Sequence, residues 1–170
     1  MYRAEKISKR MMETRGFKFD HEELREILSN DYKCNVYKKS ESFCHILFVT
    51  VDKICINFVK DIASQEDIKH LIIVHSGKIT APARNIFQLF SIRYELFHVD
   101  ELQHNLNDHF MVPKVEKTNE EIKEKLNRDF KGKIPKMLLT DPLCKFHGFE
   151  KKDIIRIHRW NGEISYRLIE

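Results

Sequence analysis

Two dipeptides near the C-terminus, Asp141-Pro142 and Asn161-Gly162, constrain this chain more than any other feature. An Asp oxygen can accept an orphan N–H of a first helical turn, and Pro fits the first helical position because no donor is lost there. Gly148 supplies the matching stop, so Pro142 to His147 reads as a helix of about two turns, too short to stand without a packing surface. The surface follows at once. Ile154 to Trp160 and Glu163 to Ile169 are β-type runs, and Asn161-Gly162 between them suits a two-residue type I′ turn. Counted outward from such a turn, Trp160 faces Glu163, Arg159 faces Ile164, Ile157 faces Tyr166 and Ile155 faces Leu168. The same register sets Arg156 against Arg167 and His158 against Ser165. Opposed like charges are unfavourable on a sheet, so this face calls for an acidic partner.

The runs Ile134-Pro135-Lys136, Thr140-Asp141-Pro142, Phe146-His147-Gly148-Phe149, Ile154-Ile155-Arg156-Ile157 and Ser165-Tyr166-Arg167-Leu168 carry a resemblance. Upstream of them lie Leu102, Asn105, His109 and Met111-Val112-Pro113-Lys114. In residue type and spacing, about the last half of the chain resembles the fifth subunit shared by nuclear RNA polymerases I, II and III and its smaller archaeal counterpart. The resemblance implies a noncatalytic polymerase subunit without cofactor, small-molecule substrate or membrane. A C-terminal assembly domain would dock on the largest polymerase subunit, among other subunits, with Asp141, Pro142, Gly148, Arg156, His158, Arg159, Tyr166 and Arg167 as assembly-face candidates. An N-terminal jaw domain would sit beside downstream double-stranded DNA. The family's jaw carries a short Thr-Pro loop after its second strand, and Thr80-Ala81-Pro82-Ala83 occupies the corresponding place with Pro displaced by one residue. Lys78, Thr80, Pro82 and Arg84 are therefore the DNA-proximal candidates; an ordinary solvated turn is the other reading of the same residues.

Taken in order, Ala4 to Thr14 predicts a basic helix with Ile7 and Met11 on one side, stopped by Gly16. His21 to Ser29, after an Asp20 cap, predicts its partner in a helical hairpin. Tyr32 to Ser42 reads as a loop or a short third helix. Phe43 to Val51 predicts a strand, Ile54 to Ala63 an amphipathic helix, and Leu71 to His75 a second strand ended by Ser76-Gly77. Ile86, Phe87, Leu89 and Phe90 suit a helix or a strand; Tyr94 to Val99 suits a strand, and Glu101 to His109 is ambiguous. Thr118 with Glu121 predicts a capping box opening a helix from Asn119 to Phe130, broken by Gly132 and packed through Ile122, Leu126 and Phe130. The expected architecture is α+β: an N-terminal α/β domain over 1–92, a helical hairpin plus a small sheet, then a small α+β domain over 93–170 ending in a β-hairpin.

The charge balance, 30 basic against 26 acidic residues, is a mild excess weighted toward the part before Phe90 and does not mark a nucleic-acid binder. Lys and Arg are dispersed among acids, against the concentrated stripe a stand-alone binder would need. Cys34, Cys44, Cys55 and Cys144 have no Cys-x-x-Cys spacing and are expected to be reduced core thiols in an intracellular compartment. No apolar run suits a membrane span, and Met1 to Lys6 lacks a signal-peptide core. Of nine histidines, His70 with His75 and His104 with His109 are spaced so that a helix would turn them apart, unlike a zinc helix. Glu150 and Lys152 downstream of Asp141 superficially resemble a metal-dependent nuclease set, which leaves a stand-alone nucleic-acid-binding or nuclease-like protein as the alternative. Shortened loops and a Lys, Ile and Phe-rich composition suit a large DNA virus or a divergent eukaryote. Localisation would be the nucleus for a cellular copy, and the cytoplasmic viral factory and virion for a viral one.

Overall fold

In a computed structural model, the structure describes residues 1–20, 32–63, 68–87, 89, 92–131 and 133–170. The chain is α+β and divides into two compact units, Met1–His104 and Asn105–Glu170. The division falls later than the 92/93 boundary expected from sequence, because the strand Arg93–His98 completes the sheet of the first unit.

In that unit α1 (Tyr2–Thr14) buries the expected Ile7 and Met11, and with them Ala4, Ser8 and Met12. It closes in a Schellman pattern, Phe17 N–H to Met12 O and Gly16 N–H to Glu13 O, with Gly16 at φ +80°. A five-stranded sheet follows in the order β1 (Lys18–Phe19), β2 (Tyr32–Lys39), β3 (Ser42–Val49), β5 (His70–His75), β7 (Arg93–His98). β1, β2 and β3 pair antiparallel, whereas β3, β5 and β7 run parallel. The short strands β4 (Lys53–Ile54) and β6 (Lys78–Ile79) pair parallel beside it. The stretch Tyr32 to Lys39, expected as a loop or helix, is a strand because eight successive residues find partners on β3. The helix expected over His21 to Ser29 lies outside the described residues, as do Phe90 and Gly132.

Parallel strands need cover on both faces. Leu47, Val49, Leu71 and Ile73 pack with Val59 and Ile62 of α2 (Ile56–Ala63) and with Ala83 and Phe87 of α3 (Ala81–Phe87). On the α1 face, Arg15 forks onto Glu95 with Nη1 and Nη2 at 3.0 and 2.7 Å from its two oxygens, and His70 Nε2 lies 2.9 Å from Glu95 Oε1. Burial pushes the Glu95 carboxyl up, but the His70 hydrogen bond and the Arg15 charge outweigh it and hold Glu95 at about 2. Of the cysteines, Cys44 and Cys144 are buried and Cys34 is half-buried, but Cys55 is exposed, contrary to expectation.

The second unit holds a four-stranded sheet, β8 (Lys114–Lys117), β10 (Ile154–His158), β11 (Ile164–Ile169), β9 (Lys136–Met137). One face packs Val115, Ile155, Ile157 and Ile169 on Cys144 of α5 (Pro142–His147); Leu143 and Phe149 close that side. The other packs Ile154, Tyr166 and Leu168 with Ile122 and Leu126 of α4 (Glu120–Asp129) and with Ile134. Both ends of α5 are as expected: Asp141 Oδ1 accepts from Leu143 N–H at 2.8 Å, and Gly148 takes φ +67°. The α4 cap is Asn119, whose Oδ1 accepts from Ile122 N–H at 3.0 Å, instead of Thr118. Thr118 is committed elsewhere, its hydroxyl donating to Ile154 O at 2.8 Å. Phe130, expected to pack, is 51% exposed.

The terminal hairpin is shifted by one residue from the expected register. Arg156 faces Tyr166, Ile155 faces Arg167, Ile157 faces Ser165 and His158 faces Ile164. Gly162 N–H bonds Arg159 O, Arg159 N–H bonds Glu163 O, and only Gly162 of the turn pair has a positive φ, +83°. This is a three-residue loop, a type I turn followed by a left-handed Gly bulge, and the extra loop residue moves every partner by one.

The Arg15, Glu95 and His70 cluster generates a prediction. With its folded pKa depressed to about 2, Glu95 contributes stability that is present above its unfolded value near 4 and is lost as pH falls through 2. Denaturant midpoints should fall across that window, and Glu95→Gln should flatten the fall. At neutral pH, Glu95→Ala should cost about 3 kcal/mol by leaving Arg15 buried without its carboxylate. A pH profile unchanged by Glu95→Gln would refute the assignment.

Candidate functional site

The four DNA-proximal candidates fall on one continuous segment at the C-terminal ends of β5 and β7. Lys78 is exposed on β6, and Thr80 closes the segment: its hydroxyl donates to Ile54 O and accepts from Ala83 N–H, at 3.2 and 3.3 Å. The anticipated turn over Thr80 to Ala83 is therefore the first turn of α3, with Pro82 placed where its missing N–H costs nothing. Pro82 and Arg84 are exposed there.

The backbone leading into this segment is tightly held. His75 Nδ1 lies 2.7 Å from Gly77 O and His98 Nε2 lies 3.3 Å from Ser76 O, so two imidazole N–H groups donate to successive carbonyls of the turn. The two residues are register partners on β5 and β7, and their rings meet edge-on at 5.4 Å. Across the turn, Lys78 N–H bonds Asp52 O at 2.9 Å and Thr80 N–H bonds Ile54 O at 3.2 Å. Gly77 is obligatory here for want of space: a Cβ would lie 2.2 Å from Val51 O and 2.4 Å from Asp52 O.

This pairing adds a residue that sequence inspection missed. Lys53 and Lys78 are register partners on β4 and β6, and both are exposed. Neighbouring strands are about 4.8 Å apart, so the two ammonium groups can serve one stretch of phosphates. Nothing local in the sequence marks Lys53, because its partner lies 25 residues away.

The assembly-face candidates do not form one surface. Asp141, Pro142 and Gly148 set the ends of α5. Arg156, His158 and Tyr166 share one sheet face, Arg167 points to the other, and Arg159 is exposed at the turn. Arg156 is already partnered within the chain: Nη1 is 3.3 Å from Glu116 Oε1 and the guanidinium lies 5.9 Å from the Tyr166 ring centre. His158 Nε2 reaches the same Glu116 oxygen at 2.9 Å. The His158 hydrogen bond, and then Arg156, hold the Glu116 carboxyl below its usual range against an opposing desolvation. The acid that the Arg156 face called for is thus supplied by β8, a strand the sequence reading did not recognise. Its signal was the alternation Lys114-Val115-Glu116-Lys117 after Pro113.

Large apolar side chains, by contrast, stand out from the second unit: Phe110 is 88% exposed, Met111 70%, Leu138 62% and Trp160 98%. The 109–111 knuckle is held in shape by Met111 N–H on His109 Nδ1 at 3.2 Å and by Val112 N–H on His109 O at 2.9 Å. The same unit, with the helix ends and sheet just described, matches a known family. Residues 104–169 fit the model of RNA polymerase Rpb5, C-terminal domain. That segment belongs to the Rpb5 C-terminal domain family.

Among individual members of the family, the chain is 30% identical over 131 residues to DNA-directed RNA polymerases IV and V subunit 5B of Arabidopsis thaliana, covering 75% of this chain and 59% of that protein. It is 30% identical over 110 residues to DNA-directed RNA polymerase V subunit 5A of the same plant, covering 63% and 49%. It is 28% identical to a putative DNA-directed RNA polymerase subunit, 454R, of Invertebrate iridescent virus 6, with 96% of each chain covered. The chain therefore spans about half to three-fifths of the length of the plant relatives. Among the described residues no group of three or more His, Cys, Asp or Glu side chains could hold a metal ion, and no helix is long and apolar enough to cross a membrane.

Gly77→Ala tests the built loop directly. The clash is with backbone, so the turn must open. Thermal denaturation should show a loss of about 2 kcal/mol or more, with amide exchange rising at Lys78 and Thr80. A fully stable variant with protected amides would contradict the close approach.

Proposed function

We propose that this protein is a noncatalytic subunit of a multisubunit DNA-dependent RNA polymerase. In this reading Asn105–Glu170 is an assembly domain that docks on the largest subunit, and Met1–His104 is a jaw-like domain whose 78–84 segment lies beside downstream DNA. The observation that carries the reading is a coincidence of boundaries: the segment that fits the family model, 104–169, is the compact unit 105–170. The same unit bears Phe110, Met111, Leu138 and Trp160 on its outside. Exposed aromatic and Met side chains of this kind are the usual anchors of protein interfaces. The chain supplies no chemistry of its own here; it helps to assemble the enzyme and to wall the downstream cleft. Its location follows that of its polymerase: the nucleus for a cellular copy, the viral factory and virion for a viral one.

The docking surface is better tested at the exposed apolar residues than at the arginines. Arg156→Glu would oppose Glu116 inside the fold, so a failure to assemble would not isolate the interface. Phe110→Asp combined with Trp160→Asp leaves the buried sheet cores untouched. Affinity purification of the tagged protein from its native source should recover the large polymerase subunits in matching amounts, and the double variant should lose them at least about tenfold, hot-spot substitutions costing 2 kcal/mol or more. Recovery unchanged in the variant would remove this face from the interface. A parent chain that elutes alone would overturn the subunit reading itself.

A further inference from the structure

The fold gathers a cationic concavity at the end of the first sheet away from the 78–84 segment. Lys18 on β1 and Lys38 on β2 are direct register partners, so two basic side chains leave neighbouring strands at the same level. Such a pair is unfavourable unless an anion screens it. Among the described residues neither has an acidic partner, and both are exposed. Lys39 adds a third charge, fixed by a hydrogen bond from Nζ to Arg15 O at 2.7 Å and by the Phe17 ring 5.6 Å away. Lys38 is held over the Phe43 ring at 5.0 Å. Together with Gly16, Phe19, Asp20 and Ser40, the three lysines line an open concavity of about 580 Å³, three ammonium groups against one carboxylate.

We propose that this concavity binds the phosphodiester backbone of a nucleic acid. Three features select that ligand. The charges are ammonium groups, which meet phosphates as point charges, and three of them line one concavity, as a run of successive phosphates requires. The neighbouring rings are engaged: Phe17 and Phe43 lie under lysines, and Phe19 packs edge-on against Tyr37 at 5.3 Å. With the rings so engaged, what the concavity offers a ligand is charge, which recognises the backbone and is indifferent to sequence. Finally, two of the three ammonium groups are held over rings before any ligand arrives, which lowers the ordering cost of binding. The site lies at the start of β3, whereas the 78–84 segment follows the end of β5, parallel to β3. It is thus a second anion-facing pole of the same unit and does not depend on the first.

The test is anisotropy of a short labelled DNA duplex and of a single-stranded RNA with the full chain, across a salt series. Lys18→Gln with Lys38→Gln should weaken binding about tenfold and reduce the log–log salt slope by about two, as expected for two lost phosphate contacts. Lys53→Gln with Lys78→Gln serves as the separate arm for the 78–84 segment. Whichever nucleic acid shows the loss is the source of the backbone. Unchanged affinity and slope in the Lys18, Lys38 variant overturn the proposal, even if the Lys53, Lys78 variant is impaired. Equal competition by polyglutamate overturns the choice of phosphate, and no binding of either probe by the parent chain overturns the site altogether.

Discussion

The parallel ladder of β3, β5 and β7 is the constraint on which the first unit depends. Strands paired this way bury both faces, and each crossover must return the chain to the same end of the sheet. That requirement places α2 and α3 on one face, leaves the other to α1, and fills the strands with the near-continuous apolar run of Leu71 to Val74. It also brings the exits of β5 and β7 side by side, which is why His75 and His98 meet and can grip successive carbonyls of one turn. The rigidity of the candidate DNA-proximal segment is thus a consequence of sheet topology. A buried ion cluster, Arg15 with Glu95 and His70, then ties the end of α1 to β7.

The second unit meets the same need for burial at smaller scale. Its central strands β10 and β11 present a core on each face, one closed by α5 and the other by α4. A unit of this size has little apolar area to spare, so each helix end and turn carries more weight than it would in a larger domain. Yet it leaves Phe110, Met111, Leu138 and Trp160 in water. Large apolar groups outside a small core are where a second chain would gain most by docking.

What could be read in the sequence was what local chemistry decides. Asp141, Pro142 and Gly148 gave both ends of α5, Gly16 gave the end of α1, and the apolar runs located β3, β5 and β7. What could not be read depended on distant partners or on a single degree of freedom in a turn. Tyr32 to Lys39 has a mixed pattern because Lys33 and Asn35 reach Glu5 of α1, so the strand is legible only once α1 is in place. Asn161-Gly162 allows either a two-residue or a three-residue loop; the choice moved Arg156 from opposite Arg167 to opposite Tyr166 and dissolved the argument for an external acid. For the candidate sites, the sequence located Lys78, Thr80, Pro82 and Arg84 on one segment but held no sign of Lys53, which only the β4–β6 pairing brings beside them.

The same reasoning applies to charge. Along the chain, Lys and Arg alternate with acids and the net charge is only +4, which argues against a concentrated basic surface. Strand pairing redistributes them: Lys18 meets Lys38, and Lys53 meets Lys78, at opposite ends of one unit. Linear dispersal therefore says little about a β-rich domain, where neighbours in space are set by register instead of by sequence distance. Two opposed lysine pairs tolerated in a small fold each carry a repulsive cost that other interactions must offset. An anionic partner at each pole would remove that cost on binding. Each pair would thus tie the stability of the unit to the anions that surround it.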